Sequence, residues 1–209
     1  MTKKQLLDEL KSKMEADTSL PLRGGATQLV FGDGDPDTEI LFIGEGPGYW
    51  EDQKGVPFVG NAGLLLNQIL LKIGVERRNI YITNVVHHRP PENRDPTAEE
   101  IMAYQTYLDE IIKIIDPKMI VTLGRFSMGK FMPNVFISSV HGREKAVDWK
   151  GKSITVVPMY HPAAALRSTE VKLKLTADFE RLPEVLKKIK EKNDTIGEVA
   201  KKVEQMALV

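Results

Sequence analysis

At 209 residues, with 42% hydrophobic and 28% charged residues, the chain has the composition of a soluble globular protein long enough to bury a substantial core. Lys+Arg and Asp+Glu balance at 29 each, which argues against a uniformly basic, non-specific nucleic-acid binder but leaves room for a local basic patch. The lack of cysteine excludes disulfides, thiolate zinc sites and cysteine-bound clusters, and no apolar run approaches the ~20 residues of a membrane span.

Leu6, Leu7, Leu10 and Met14 recur at helical spacing, so the chain is expected to open on an amphipathic, surface-docked helix rather than a signal peptide. An irregular stretch broken by glycine and proline follows, up to about Thr38. "EILFIGE" is short and continuously apolar, which predicts a buried strand. "NAGLLLNQILLKIG" predicts a helix closed by Gly74, and "NIYITNVV" a second strand. Thr97 and Glu100 have the spacing of a capping box, so a long helix is expected from Pro96–Thr97 to about Ile115. "KMIVTLG" predicts a third strand, "RFSMGKFM" a short helix, and "KSITVVPMYHP" a fourth strand ending at His161. The segment from Glu170 to Lys192 is helical in pattern, with an interruption near Pro183. Strands alternating with helices argue for an α/β domain over residues 1–192 around a mainly parallel sheet, and 193–209 form a polar, lysine-rich tail expected to be helical.

Ligands of such sheets bind beyond the carboxyl ends of the strands, and Glu45, Asn84 and His161 all fall there. "GEGPG" (Gly44 to Gly48) lacks the third glycine of a dinucleotide fingerprint and the Gly-Lys-Ser/Thr of a phosphate loop. Its glycines, Gly44 and Gly46 among them, permit close backbone approach. Glu45 is then either a solvated turn residue or an acid placed at the strand end. Glu51 and Asp52 are expected to be solvated surface acids. Phe58, inside "GVPFVGNAG", is either a core anchor or a platform on which a flat base stacks. Asn84 is either a turn former or a side chain that donates and accepts along the edge of a base. Arg89, Asn93 and Arg94 lie in a proline-stiffened loop that is either solvated or in contact with phosphates. His87 and His88 are adjacent and point to opposite faces of an extended chain, so no metal ion is expected between them.

Assembled in order, "TQLVFGDG", "GEGPGYWEDQKGVPFVGNAGLLL", "YITNVVHHRPPENRDP", "PKMIVTLG" and "PMYHPAAALR" resemble the uracil-DNA glycosylase superfamily, and within it family 4. The resemblance covers roughly Thr27 to Arg167. It implies a three-layer α/β/α fold with a four-stranded parallel sheet, and hydrolysis of the N-glycosidic bond of deoxyuridine in DNA. Family 4 members normally carry a 4Fe–4S cluster on cysteines. The matching positions here are Asp17, Leu20, His88 and Tyr104, and a set containing leucine is no cluster site. A cluster-free member is implied, with Asp17 expected near His88 and Leu20 packed on Tyr104. Relatives that trap DNA covalently carry an inserted basic loop with a histidine; Arg89 to Pro96 contains neither, which implies turnover.

The same resemblance implies the roles. Glu45 and His161 are the catalytic pair, Phe58 and Asn84 hold the base beside Gly44 and Gly46, Leu166 wedges into the DNA stack, and Arg167, Arg89 and Arg94 meet the backbone. No cofactor and no metal are expected, and the partner is uracil-containing DNA, acted on by a cytoplasmic monomer with no membrane contact. The competing readings are an inactive DNA-binding relative, a glycosylase for another deaminated base, and a small nucleotide hydrolase.

Overall fold

The computed structural model describes residues 1–189 and 191. The N-terminal helix α1 (Lys3–Ala16) precedes a two-residue strand β1 (Asp33–Gly34) and the strand β2 (Ile40–Gly44). Then come α2 (Tyr49–Lys54), α3 (Asn61–Lys72), β3 (Tyr81–Asn84), α4 (Ala98–Ile115) and β4 (Met119–Leu123). Two short helices, α5 (Arg125–Gly129) and α6 (Ile137–Val140), lead into β5 (Lys145–Trp149), β6 (Lys152–Met159), α7 (Pro162–Ala165) and α8 (Thr169–Glu180). The sheet order is β1-β3-β2-β4-β6-β5.

The four inner strands β3, β2, β4 and β6 run parallel, as expected; the sheet as a whole has six strands, because β1 and β5 add antiparallel edges. Strand β5 carries no apolar run and is mostly exposed, so hydrophobicity gave no sign of it. It joins β6 through a tight turn in which Lys150 (φ 52°) and Gly151 (φ 81°) both take the left-handed conformation of a two-residue hairpin loop. Helix α2 was likewise not expected. It is six residues long, begins just beyond the glycine turn and stops on Gly55, whose φ of 69° closes it.

Side chains alternating across the sheet build two cores. Leu41, Ile43, Ile120 and Val156 face α1 and α4, where Met14, Tyr104, Leu108 and Ile111 meet them. Phe42, Ile82, Val121 and Val157 face α3 and α8, where Leu66, Leu70, Leu175 and Phe179 meet them. The layering is therefore α/β/α. The capping box of α4 forms as its spacing predicts: Thr97 Oγ1 accepts from the Glu100 amide at 3.2 Å, and the Glu100 carboxylate accepts from the Thr97 amide at 2.8 Å. Gly74 closes α3 with φ 72°. Helix α8 stops at Glu180 and a further helical run covers 182–189, which places the break beside Pro183. The tail 193–209 lies outside the described residues. Among the described residues, no helix is long and apolar enough to cross a membrane.

Candidate active site

The carboxyl ends of β2, β3, β4 and β6 open into one cavity of about 730 Å³. Glu45, Phe58, Asn84 and His161, from four separate segments, all line it. The parallel register sets Gly44 beside Asn84, so the glycine turn and the asparagine end at the same level of the sheet.

Gly44 is there for space. A Cβ on it would lie 2.4 Å from Asn84 Oδ1 and 2.7 Å from the Phe58 ring, so any side chain would displace both. At Gly46 an added Cβ would meet Val86 Cγ2 at 2.8 Å, where the turn crosses the continuation of β3. Phe58 belongs to the core on the α3 side, the first of its two sequence readings, and it also lines the cavity. Its backbone is left-handed (φ 54°), a costly conformation for an aromatic residue. Arg77 holds it there, donating to the carbonyls of Pro57 and Phe58 and to Asn67 Oδ1. Arg77 attracted no notice in the sequence, since nothing local marks a buried guanidinium that reaches back across a loop.

Asn84 is 1% exposed, and its Oδ1 is buried with no hydrogen-bond partner. An orphaned buried acceptor is costly, and in a cavity wall it fits a donor brought by a ligand. His161 caps α7: its Nδ1 accepts from the Ala163 amide at 3.1 Å. That bond leaves the proton on Nε2. Burial, aided by Arg167, lowers its pKa to about 4, so the ring is a neutral donor. It lies 5.6 Å from the Phe58 ring centroid, tilted by 32°. Glu45 shows the opposite shift: burial first, then Asp95, raise it to about 7, against the pull of Arg125 and Arg167.

Leu166 and Arg167 stand exposed on the cavity rim after α7. Arg94 also lines the cavity, but its guanidinium grips Glu100 through two bonds of 2.8 and 2.6 Å and so braces the start of α4. Arg89 lies just outside the lining. It donates to Asn93 Oδ1 at 2.8 Å and sits over the Tyr49 ring. Among the lining residues missed by sequence reasoning are Arg125 and Asp95, which pair across the rim, and Tyr160. Glu51 and Asp52 are not the solvated acids expected of them. The Glu51 carboxylate accepts from the Val59 and Gly60 amides at 2.8 and 2.7 Å, and buried Asp52 accepts from the Thr27 amide at 2.8 Å. Both clamp the loops that surround α2.

The four positions matched to cluster cysteines do not suit an iron–sulfur cluster: Leu20 has no ligand atom, and no thiolate is present. Among the described residues, no group of three or more His, Cys, Asp and Glu could hold a metal ion. The expected contact of Asp17 with His88 is not made. Asp17 accepts from the Tyr107 hydroxyl at 2.8 Å, and His88 Nδ1 bonds the Tyr104 hydroxyl at 2.8 Å. Leu20 and Leu22 pack in the same core cluster as Tyr104. Tyr104 on α4 thus ties the N-terminal loop to the loop after β3.

A family model described as the uracil DNA glycosylase superfamily matches residues 31–187. The chain is 39% identical over 189 residues to the type-4 uracil-DNA glycosylase of Thermotoga maritima, spanning 90% of this chain and 98% of that protein. It is 44% identical over 187 residues to that of Sulfurisphaera tokodaii (86% and 84%) and 40% identical over 185 residues to that of Archaeoglobus fulgidus (86% and 92%). The chain therefore belongs to the uracil DNA glycosylase superfamily and stands among its type-4 members, and it contains no cysteine.

Proposed function

We propose that this chain excises uracil from DNA, hydrolysing the N-glycosidic bond of a flipped-out deoxyuridine and leaving an abasic site, as a cytoplasmic monomer in base excision repair. The kinship with type-4 uracil-DNA glycosylases supports the reaction class. One observation carries the residue assignment: the partnerless Oδ1 of Asn84 shares a cavity with a neutral histidine whose Nε2 bears the proton.

A base inside a duplex is out of reach, so the nucleotide is extruded at a cost of a few kcal/mol. Leu166 fills the vacated stack, and Arg167 holds backbone phosphate, with Arg89 alongside. Phe58 stacks on the uracil. Asn84 Oδ1 accepts the N3–H, and its amide nitrogen donates to O4. Cytosine carries an acceptor at N3 and a donor at position 4, so both contacts fail with it, at about 1–3 kcal/mol for a bidentate pair.

In the chemical step, water attacks C1′ as the bond from C1′ to N1 breaks. The electron pair leaves with uracil as an anion, stabilised at O2 by the His161 Nε2–H. A neutral histidine suits this role, because it strengthens its bond as charge develops without surrendering its proton. Glu45 takes the proton of the attacking water, and as a carboxylate it favours the cationic sugar. Amides of the Gly44–Gly48 turn assist from the other side.

The test is single-turnover excision from labelled oligonucleotides bearing U, T, C or hypoxanthine, in EDTA, read as alkali-labile sites. Uracil is the substrate expected to be cut. His161→Ala is expected to lower the rate about 100-fold, within the range for loss of one oxyanion donor, and Glu45→Gln at least ~10-fold, with DNA affinity little changed. Near-native cleavage by both variants would refute the assignment.

A further inference from the structure

Nothing in the excision chemistry uses Tyr49 and Trp50, yet both are large aromatics held open to solvent, 49% and 54% exposed. They follow Gly48, which lines the cavity. Their rings meet edge to face, with centroids 5.1 Å apart and planes at 79°. Each carries a cation: Arg89 lies 5.2 Å from the Tyr49 ring and Lys54 lies 6.0 Å from that of Trp50. The acids of the same helix turn inward, Glu51 to the Val59 and Gly60 amides and Asp52 to that of Thr27. The outer face of α2 is therefore aromatic and positive. Trp50 is seated rather than loose, since its Cδ1 would lie 3.5 Å from a Cβ on Gly60.

Lys54 continues the path. It also lines a second groove of about 730 Å³, where Arg23 and Lys11 add positive charge against a single acid, Glu15. Helix α2 thus links the cavity and the groove, with Gly48 at its start lining the cavity, the aromatic pair next, and Lys54 at its end lining the basic groove. We infer that Tyr49 and Trp50 are a stacking platform for unpaired bases flanking the flipped uridine, and that the backbone of a single strand runs on past Lys54 into the groove. This rests on the glycosylase reading for the identity of the flipped base. Stacking on an aromatic face needs a base whose own face is free, which a single strand offers and a duplex does not. Cations beside the rings meet the phosphates between stacked bases. The fit is to uracil in single-stranded DNA.

The experiment uses oligothymidylate without uracil and a duplex of equal length, with wild type, Tyr49→Leu, Trp50→Leu and Trp50→Phe. Binding is followed by anisotropy and by tryptophan emission; the chain has two tryptophans, Trp50 and Trp149. Single-strand affinity is expected to fall roughly tenfold in each leucine variant and to stay within about threefold of wild type in Trp50→Phe, with duplex affinity nearly unchanged. Oligothymidylate quenches wild-type emission, and Trp50→Leu loses that quenching while melting at the wild-type temperature. Equal losses on single strand and duplex, no quenching in wild type, or a DNA-free dimer dispersed by Trp50→Leu would each overturn the platform. If wild type binds and quenches but cuts no uracil, the platform stands and the glycosylase reading fails.

Discussion

Glu45 and His161 face the same cavity with their pKa values moved in opposite directions by the same cause. Burial penalises whichever form is charged, so it raises the acid to about 7 and lowers the histidine to about 4. Under the proposed roles, His161 stays neutral and donates across the working range, and Glu45 alone sets the pH dependence. Glu45 serves as a carboxylate, so kcat/KM on uracil-DNA is expected to rise about tenfold per pH unit below about 7 and to flatten above it. No second break is expected between pH 5 and 7 from His161. In Glu45→Gln the residual activity should lose the slope; a slope that survives would place the titrating group elsewhere.

At the scale of elements, the loops around the sheet edge are held by polar clamps. Arg77 fixes the loop of Phe58, Glu51 fixes the start of α3, and Arg94 with Thr97 fixes the start of α4. Tyr104 does the same for the region where relatives of this family are implied to carry a cluster. Its oxygen joins α4 to the loop after β3, and its ring packs with Leu20 and Leu22 of the N-terminal segment. Tyr104→Phe keeps the ring and strands His88 Nδ1 in the core. A loss of about 1–3 kcal/mol of stability is expected from the unpaired buried group, measured by urea unfolding. A loss below ~0.5 kcal/mol would show that packing of Leu20 and the ring, not the hydroxyl, holds this corner.

For the whole molecule, three histidines are held in neutral form, His87 and His88 buried and His161 half-buried in the cavity wall. His87, His88 and His161 are each lowered to about 4, burial being the first cause in every case. His87 donates from Nδ1 toward the Phe31 carbonyl at 3.0 Å, and its Nε2 has no partner. Unfolding frees these rings to bind protons near pH 6.5, so the unfolded state takes up more protons between about 4 and 6.5. Their stabilisation is complete above that window and is lost as the pH falls through it, at up to about 1.4 kcal/mol per pH unit for each ring. Glu45 works the other way, since its raised pKa costs stability as pH rises from 4.5 to about 7. Three groups outweigh one. The urea midpoint is expected to drop between pH 6.5 and 4.5, and His87→Gln should make that drop shallower. A midpoint constant over this range would contradict the neutral state of the rings.

Much of the fold was legible because its signals are local. Continuous apolar runs marked the four inner strands, the Thr97–Glu100 spacing marked a capping box, and Gly74 marked a helix end; each depends on neighbours a few residues apart. That Glu45, Asn84 and His161 share a cavity was legible for a related reason: a parallel sheet brings its strand ends to one edge, so position in the strand predicts position in space. Strand β5 and helix α2 escaped because neither has an apolar period. The partners escaped for a deeper reason. That Asp17 meets Tyr107 rather than His88, that Arg94 is spent on Glu100, and that Arg77 reaches Phe58 are choices between side chains far apart in the chain. Such choices rest on burial and reach, which exist only once the layers have packed.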